Sequence, residues 1–150
     1  MIREYKLFHG AVLMQLVDCM HRPISIDELV EEGRLTSYVI DARVGIHIKH
    51  SMAKLTPWQF TFTQANVREL EYLRMIYRES FVALVCHTDG MVCLSVEEVA
   101  SLLAFGQGEQ AWIRVSRHRN ELYAVTGAAA ELPRKRAEGV GMIVDRLNAL

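Results

Sequence analysis

Three polar residues in the first half of the chain could do chemistry together. Asp41 stands at the end of one apolar segment, and His47 and Lys49 lie two residues apart in the next. Side chains two residues apart on a β-strand point to the same face, so the imidazole and the ammonium group would share a face there. With the carboxylate they make a candidate catalytic set, and Gln59 and Thr61 are candidates to lie beside it.

The segments around these residues have the period-two pattern of β-strands. Residues 36–41 and 44–51 are predicted as two strands joined by a tight turn at Ala42-Arg43, and residues 58–62 as a third strand. Apolar and polar side chains alternate along the second and third segments. We therefore expect a three-strand meander with one face in the core and the other face polar.

The rest of the chain combines helical and strand patterns. Residues 3–20 and the segment ending at Leu150 have apolar side chains at helical spacing, and residues 81–86 form an unbroken apolar run typical of a buried central strand. Turn and capping signals predict the other elements: a short helix opened by a capping-box pattern at Ser25–Glu28 and closed by Gly33, a helix capped by Thr63, a hairpin turning at Asp89-Gly90, a helix from Ser95 to about Phe105, a flexible connector at 106–108, and strands at 111–116 and 121–126.

These elements predict an α+β fold with a mostly antiparallel sheet. The sheet would contain the three-strand meander, a buried strand hairpin and a C-terminal strand pair, with helices packed against it. A chain of 150 residues, 51% of them hydrophobic, is long enough for one domain with a sizeable core. We expect residues 1–132 to form that domain, and residues 133–150 to form a basic linker followed by an amphipathic helix.

The predicted order of helix, three-strand meander, helix and buried strand resembles the core of the PD-(D/E)xK nucleases over about residues 3–86. In that family, an acid on one strand and an acid-x-Lys triplet on the next hold a divalent metal and activate water. The resemblance implies Asp41 as the first acid and Lys49 as the lysine, with His47 in place of the second acid. Imidazole suits softer metals than magnesium. Three interpretations stay open: a divergent nuclease with a divalent metal as cofactor, a degenerate core kept for binding, and a polar strand face exposed to solvent.

The net charge of −1 hides an uneven distribution of charge along the chain. Residues 1–33 carry three bases and six acids, whereas residues 34–63 carry four bases and one acid, and residues 111–136 carry six bases and two acids. If the two basic segments meet in space, they could form a phosphate-binding surface. No aromatic interleaving is evident in either segment, which disfavours stacking on single strands. The candidate nucleic-acid-binding residues are Arg43, Lys49, Lys54, Arg114, Arg117 and Arg119.

The three cysteines indicate a reducing compartment. Cys19, Cys86 and Cys93 are odd in number and lie in apolar surroundings, which predicts buried, reduced thiols and a cytoplasmic protein. No CxxC or paired-histidine spacing accompanies them, so we expect no metal site there. No charge-free run approaches the ~20 residues of a membrane span.

Together these patterns favour a small cytoplasmic binding or accessory domain that is not catalytic. It would contact nucleic acid or an acidic partner through the basic strand face and the basic turn at residues 117–120. An ordinary solvated turn would carry the same residues. The alternatives are the divergent nuclease and a module that binds a protein partner, or a second copy of itself, through the apolar stripe of the C-terminal helix. No cofactor is expected except the metal of the nuclease alternative.

Overall fold

Residues 1–105 and 111–150 are described in the computed structural model of the protein, and four helices and eight strands lie within them. In chain order the elements are α1 (Glu4–Met20), β1 (Ile26–Glu31), β2 (Arg34–Ile40), β3 (Val44–Ser51), β4 (Trp58–Phe62), α2 (Gln64–Ile76), β5 (Glu79–Cys86), β6 (Met91–Ser95), α3 (Val96–Leu103), β7 (Ala111–Ser116), β8 (Ala124–Gly127) and α4 (Gly141–Ala149). The connector predicted at residues 106–108 lies outside the described residues.

The strands form two sheets. One has five strands in the order β1-β2-β3-β5-β6, and the other has three in the order β4-β7-β8. Within the described strands, neighbours are antiparallel except β3 and β5, which run parallel. A parallel pair needs a crossover connection, and the chain between these two strands passes through α2. The predicted α+β fold with mostly antiparallel strands and packed helices is therefore confirmed.

Strand β5 lies in the interior of the protein with both faces covered, as its unbroken apolar sequence predicts. Phe81, Ala83 and Val85 face a cluster that includes buried residues of α1 and α4. The alternate residues Val82 and Leu84 face a second cluster, formed with α3 and the three-stranded sheet. The five-stranded sheet is thus the central layer of the fold.

The short helix predicted at residues 25–33 is wrong, because this segment is strand β1 and the start of a hairpin. β1 pairs with β2 along its whole length, from Ile26 opposite Ile40 to Glu31 opposite Arg34. Glu32 and Gly33 between them have positive φ values of 52° and 74°, as a two-residue hairpin turn of type I′ requires. Strand pairing over six residues outweighs the local capping pattern.

The third strand of the predicted meander is a strand, but it lies in the other sheet. β4 pairs with β7, and its inward side chains Trp58, Phe60 and Phe62 pack in the cluster that covers one face of β5. That face of the five-stranded sheet is apolar and must be covered, which explains why the chain leaves the first sheet after β3. The antiparallel meander of the structure is β1-β2-β3.

Helix α4 packs on the same side of the five-stranded sheet as α1. Ile143, Val144 and Leu147 are buried in one cluster with residues of α1, whereas Leu150, expected to point inward, is 48% exposed. The domain boundary predicted at residue 132 stays a prediction. None of the helices in the described residues has the length and apolar character needed to cross a membrane.

Candidate functional site

The five-stranded sheet splits between β2 and β3. The two strands pair only between Tyr38–Ile40 and Val44–Ile46, while Arg34–Ser37 remain with β1 and His47–Ser51 remain with β5. A cleft of about 510 Å³ lies at this split, and we call it the fork cleft. It is lined by Tyr5, His9, Arg34, Leu35, Thr36, His47, Ile48, Lys49, His50, Asn66 and Glu69.

A β-bulge and a buried histidine hold the fork in place. The β1–β2 register shifts at Thr36, whose hydroxyl donates a hydrogen bond to the carbonyl oxygen of Leu29 over 2.9 Å. The carbonyl oxygen of Thr36 lies 2.9 Å from Nδ1 of His47. Because a carbonyl only accepts, Nδ1 carries the proton, and Nε2 of the neutral ring is an unprotonated acceptor.

His47 is only 6% exposed, so its side chain does not lie on a solvent-facing strand surface. Burial, followed by repulsion from the neighbouring ammonium group of Lys49, lowers the pKa of its imidazole to about 4, against the raising effect of the hydrogen bond to Thr36. His47 is therefore uncharged at neutral pH. It supplies a hydrogen-bond acceptor at the cleft rather than a positive charge.

The ammonium group of Lys49 is held at the cleft by the first turn of α2. Its Nζ donates to Oδ1 of Asn66 over 3.0 Å and lies 4.9 Å from the ring centre of Phe62. The same Oδ1 accepts a hydrogen bond from the backbone of Thr63, which caps α2 as predicted. Burial lowers the pKa of Lys49, and the carboxylate of Glu69 partly opposes that effect.

The charges of the cleft lining do not balance. Arg34 is bonded to Glu69 through Nη2 and Oε1 at 3.3 Å, with side chains 70% and 14% exposed. Among the described residues of the lining, Glu69 is the only acid, whereas Arg34 and Lys49 are both cations. The lining thus carries a net charge of +1 when its histidines are neutral.

The opposite wall of the cleft comes from α1 and is rich in rings. Nδ1 of His9 lies 2.9 Å from the hydroxyl oxygen of Tyr38, and burial, followed by repulsion from His50, lowers the pKa of His9 to about 4. The ring of His50 stacks on Phe8 with 4.6 Å between ring centres. The cleft therefore has a cationic side and an aromatic side.

Asp41 does not join His47 and Lys49. It lies at the β2–β3 turn, where its carboxylate accepts hydrogen bonds from Arg22 over 2.8 Å and from the backbone of Ser25 over 3.0 Å. Lys49 is five residues beyond the start of β3 at Val44, or about 17 Å at ~3.3 Å per residue. The predicted catalytic set is therefore split between the two ends of β3. No group of three or more His, Cys, Asp or Glu residues suited to a metal occurs in the described part of the chain.

The two basic segments meet at one end of the three-stranded sheet. Thr56, in the loop that carries Lys54, accepts a hydrogen bond through Oγ1 from the backbone of Arg117 over 3.3 Å, and Arg119 follows in the β7–β8 connection. Lys54 and Arg119 are exposed. Arg43 does not belong to this group, because it lies with Asp41 beside a separate pocket.

Arg117 is committed to contacts within the protein. Its Nε donates to Oδ2 of Asp89 over 2.8 Å, its guanidinium carbon lies 4.2 Å from the ring centre of Tyr123, and its side chain is 14% exposed. Asp89 also accepts a hydrogen bond from the hydroxyl of Tyr123 over 2.6 Å. These contacts tie the β5–β6 turn to the three-stranded sheet, a structural role that its place in a basic turn did not reveal.

The cysteines divide into two groups. Cys86 and Cys93 are buried on opposite faces of the β5–β6 hairpin, and burial raises the pKa of each thiol to about 12. They are unreactive core residues, as predicted. The prediction of a buried thiol is wrong for Cys19, which is exposed on α1.

The site candidates taken from the sequence include only His47 and Lys49 of the fork-cleft lining, and the residues they leave out include Arg34, Thr36, Asn66 and Glu69. The spacing of Thr63 and Asn66 is typical of a helix cap. This cap is the only local sequence signal that predicts the position of one of these missed residues. The bulge at Thr36 exists only because β1 pairs with β2, which local patterning did not predict.

Comparison with known proteins yields no match: no family model, no curated protein and no solved structure is significantly similar to this chain. The resemblance to the PD-(D/E)xK nucleases stays a prediction. The function must therefore be argued from the cleft and the charged surfaces themselves.

Proposed function

We propose that the protein is a binding domain for nucleic acid and that the fork cleft receives a phosphate group of its ligand. The observation that carries the proposal is the presence of Lys49 and Arg34 together in a cleft where Glu69 is the only acid among the described lining residues. Phosphate contacts from lysine and arginine supply most of the affinity of nucleic-acid-binding proteins.

The hydrogen-bonding capacity of the cleft suits a phosphate. The ammonium group of Lys49 has three N–H donors and gives one to Asn66, while the guanidinium of Arg34 has five and gives one to Glu69. The remaining donors can meet anionic oxygens. Because Lys49 is half-buried, its attraction to an anion is weakened less by water than that of an exposed lysine.

The remaining lining supports a nucleotide more than an acidic peptide. The unprotonated Nε2 of His47 can accept a hydrogen bond from a sugar hydroxyl, and the α1 wall offers the rings of Tyr5 and His9. A volume of about 510 Å³ lies within the usual range for small-molecule sites. Exposed Lys54 and Arg119 would extend the phosphate contacts outside the cleft.

The alternative of a divergent metal-dependent nuclease has less support. Magnesium and calcium are held by several oxygen ligands. The described lining of the fork cleft offers the single carboxylate of Glu69, while Asp41 lies at the other end of β3. The protein-interaction alternative through α4 also has less support, because its apolar stripe is covered within the protein. A cytoplasmic setting is part of the proposal and is supported by the three cysteines, none of which forms a disulfide.

The proposal is tested by fluorescence anisotropy with labelled DNA and RNA oligonucleotides at several salt concentrations. We expect binding that weakens with salt, and Lys49→Met and Arg34→Gln should each reduce the slope of log K against log salt by about one, the contribution of one phosphate contact. Arg43→Gln is the matched control, because it removes the same charge outside the cleft. No binding at low salt, or an equal loss in all three variants, would refute the proposal.

Two further assays distinguish nucleic-acid binding from the acidic-partner and nuclease alternatives. Competition by poly-glutamate as strong as competition by unlabelled oligonucleotide would favour an acidic protein partner and count against the nucleic-acid proposal. Magnesium-dependent cleavage that Lys49→Met abolishes would replace the binding proposal with the nuclease.

A further inference from the structure

We propose that the outer face of the three-stranded sheet binds unpaired nucleic-acid bases, with Trp112 as the stacking surface. This inference rests on the proposed nucleic-acid binding and adds a second contact to it. Side chains alternate across β4 and β7: one set, including Phe60 and Ile113, is buried in the core, and the other set points outward. Trp112 belongs to the outward set and is only half-buried.

Trp112 is placed beside an arginine on the same face. The guanidinium carbon of Arg114 lies 5.1 Å from the ring centre of Trp112, and its Nη2 donates to Oε1 of Gln59 on β4 over 3.2 Å. Thr61 lies opposite Trp112 in the β4–β7 register, just as Gln59 lies opposite Arg114. The face thus combines an aromatic ring, a guanidinium plane and two exposed hydrogen-bonding side chains.

This combination matches the chemistry of an unpaired base. Bases exposed in single strands stack on aromatic rings and guanidinium planes and form hydrogen bonds through their edges. Bases in a duplex are stacked on one another and do not offer their faces. The expectation that no aromatic residue accompanies the basic residues is therefore wrong for Trp112 and Arg114, which are two residues apart on one strand face.

The outer face carries little net charge, so binding of a base there would depend on stacking more than on attraction between charges. The outward positions of the three strands carry Arg114 and no acid, but Glu131 forms an isolated bridge with Thr126 and adds an acid at the β8 edge. Lys54 and Arg119 lie at the end of the sheet where β4 begins and β7 ends. A strand crossing the face would place phosphates near those two cations and bases near Trp112.

The intrinsic fluorescence of the protein tests this inference. The chain has two tryptophans, and Trp58 is 2% exposed with its Nε1 bonded to the carbonyl of Ala53 over 2.8 Å. A ligand that stacks on the outer face should quench Trp112 and leave Trp58 unchanged. Three ligands of equal length are used: oligo(dT), an abasic oligomer with the same number of phosphates, and a DNA duplex.

We expect saturable quenching by oligo(dT) and little or none by the abasic oligomer or the duplex. Trp112→Phe should abolish the quenching but keep most of the affinity, whereas Trp112→Ala should weaken oligo(dT) binding about tenfold, or about 1.4 kcal/mol. Glu131→Gln should strengthen binding of every ligand alike, because it changes charge and not stacking.

Two results would overturn the inference. One is equal quenching by the abasic oligomer, and the other is wild-type affinity in Trp112→Ala. If that affinity persists while Lys49→Met still weakens binding, the sheet contact fails and the proposed function stands. If Trp112→Ala weakens binding and Lys49→Met does not, the fork-cleft proposal fails instead.

Discussion

The buried imidazole of His47 should make the stability of the protein depend on pH in a predictable way. Its pKa is about 4 in the folded protein, against an ordinary value of 6.5. The unfolded chain therefore binds a proton at this side chain more readily, and the contribution of His47 to stability falls as the pH decreases below about 6.5 and levels off below about 4. The whole difference corresponds to about 3 kcal/mol, of which about 2 kcal/mol is lost between pH 7 and pH 4.5.

Urea denaturation at pH 7, 6, 5 and 4.5 measures this loss. His47→Gln is the test variant, because a glutamine amide can still donate to the carbonyl of Thr36 but carries no titrating group. Wild type should lose about 2 kcal/mol more than His47→Gln over that range. His9 also has a pKa lowered to about 4, so the difference between the two proteins, rather than the wild-type curve alone, reports His47.

His118→Gln is the matched control, since this histidine is exposed in the β7–β8 connection. Its pH dependence should follow that of wild type. If wild type and His47→Gln lose stability in parallel, His47 is not held neutral by burial, and the assignment of an unprotonated Nε2 at the cleft is wrong.

Two further substitutions test the packing around the site. Gly45→Ala would put a Cβ 2.6 Å from Cδ1 of Leu73, so we expect the free energy of unfolding, measured by urea denaturation, to fall by about 1–3 kcal/mol. The control is Gly10→Ala on α1, which has nothing within 4 Å and should be neutral or slightly stabilising. Equal effects of the two substitutions would contradict the packing argument. Arg117→Met should cost about 2 kcal/mol of stability, since it breaks partly buried contacts with the β5–β6 turn. The same variant should leave the slope of log K against log salt for nucleic-acid binding unchanged. A slope lower by about one would instead indicate that Arg117 contacts a phosphate.

Local signals were sufficient where an element depends on neighbours in sequence. Thr63 and Ser95 cap their helices with both hydrogen bonds of a capping box, and Asp89-Gly90 turns the chain between β5 and β6. The apolar run of β5 is buried on both faces. Each of these features is stabilised by contacts within a few residues or by simple burial, so the pattern alone predicts it.

Local signals failed where a distant partner decides the structure. Residues 25–33 match a helix cap and a helix end, yet they form a strand because β2 is available to pair with them. β4 alternates as a meander strand would, yet it joins β7 because its apolar face covers the central sheet. In both cases the structure depends on contacts with a distant segment of the chain, and spacing in the sequence does not identify that segment.

The sequence by itself determined the α+β class, the central strand and the shared face of His47 and Lys49, because periodicity and burial preference act residue by residue. Only the tertiary structure decided what surrounds them. The divergence of β2 from β3 opens the fork cleft, α2 places Asn66 and Glu69 in its lining with Lys49, and Asp41 lies at the far end of β3. Strand pairing between distant segments sets that divergence, and no local pattern encodes it.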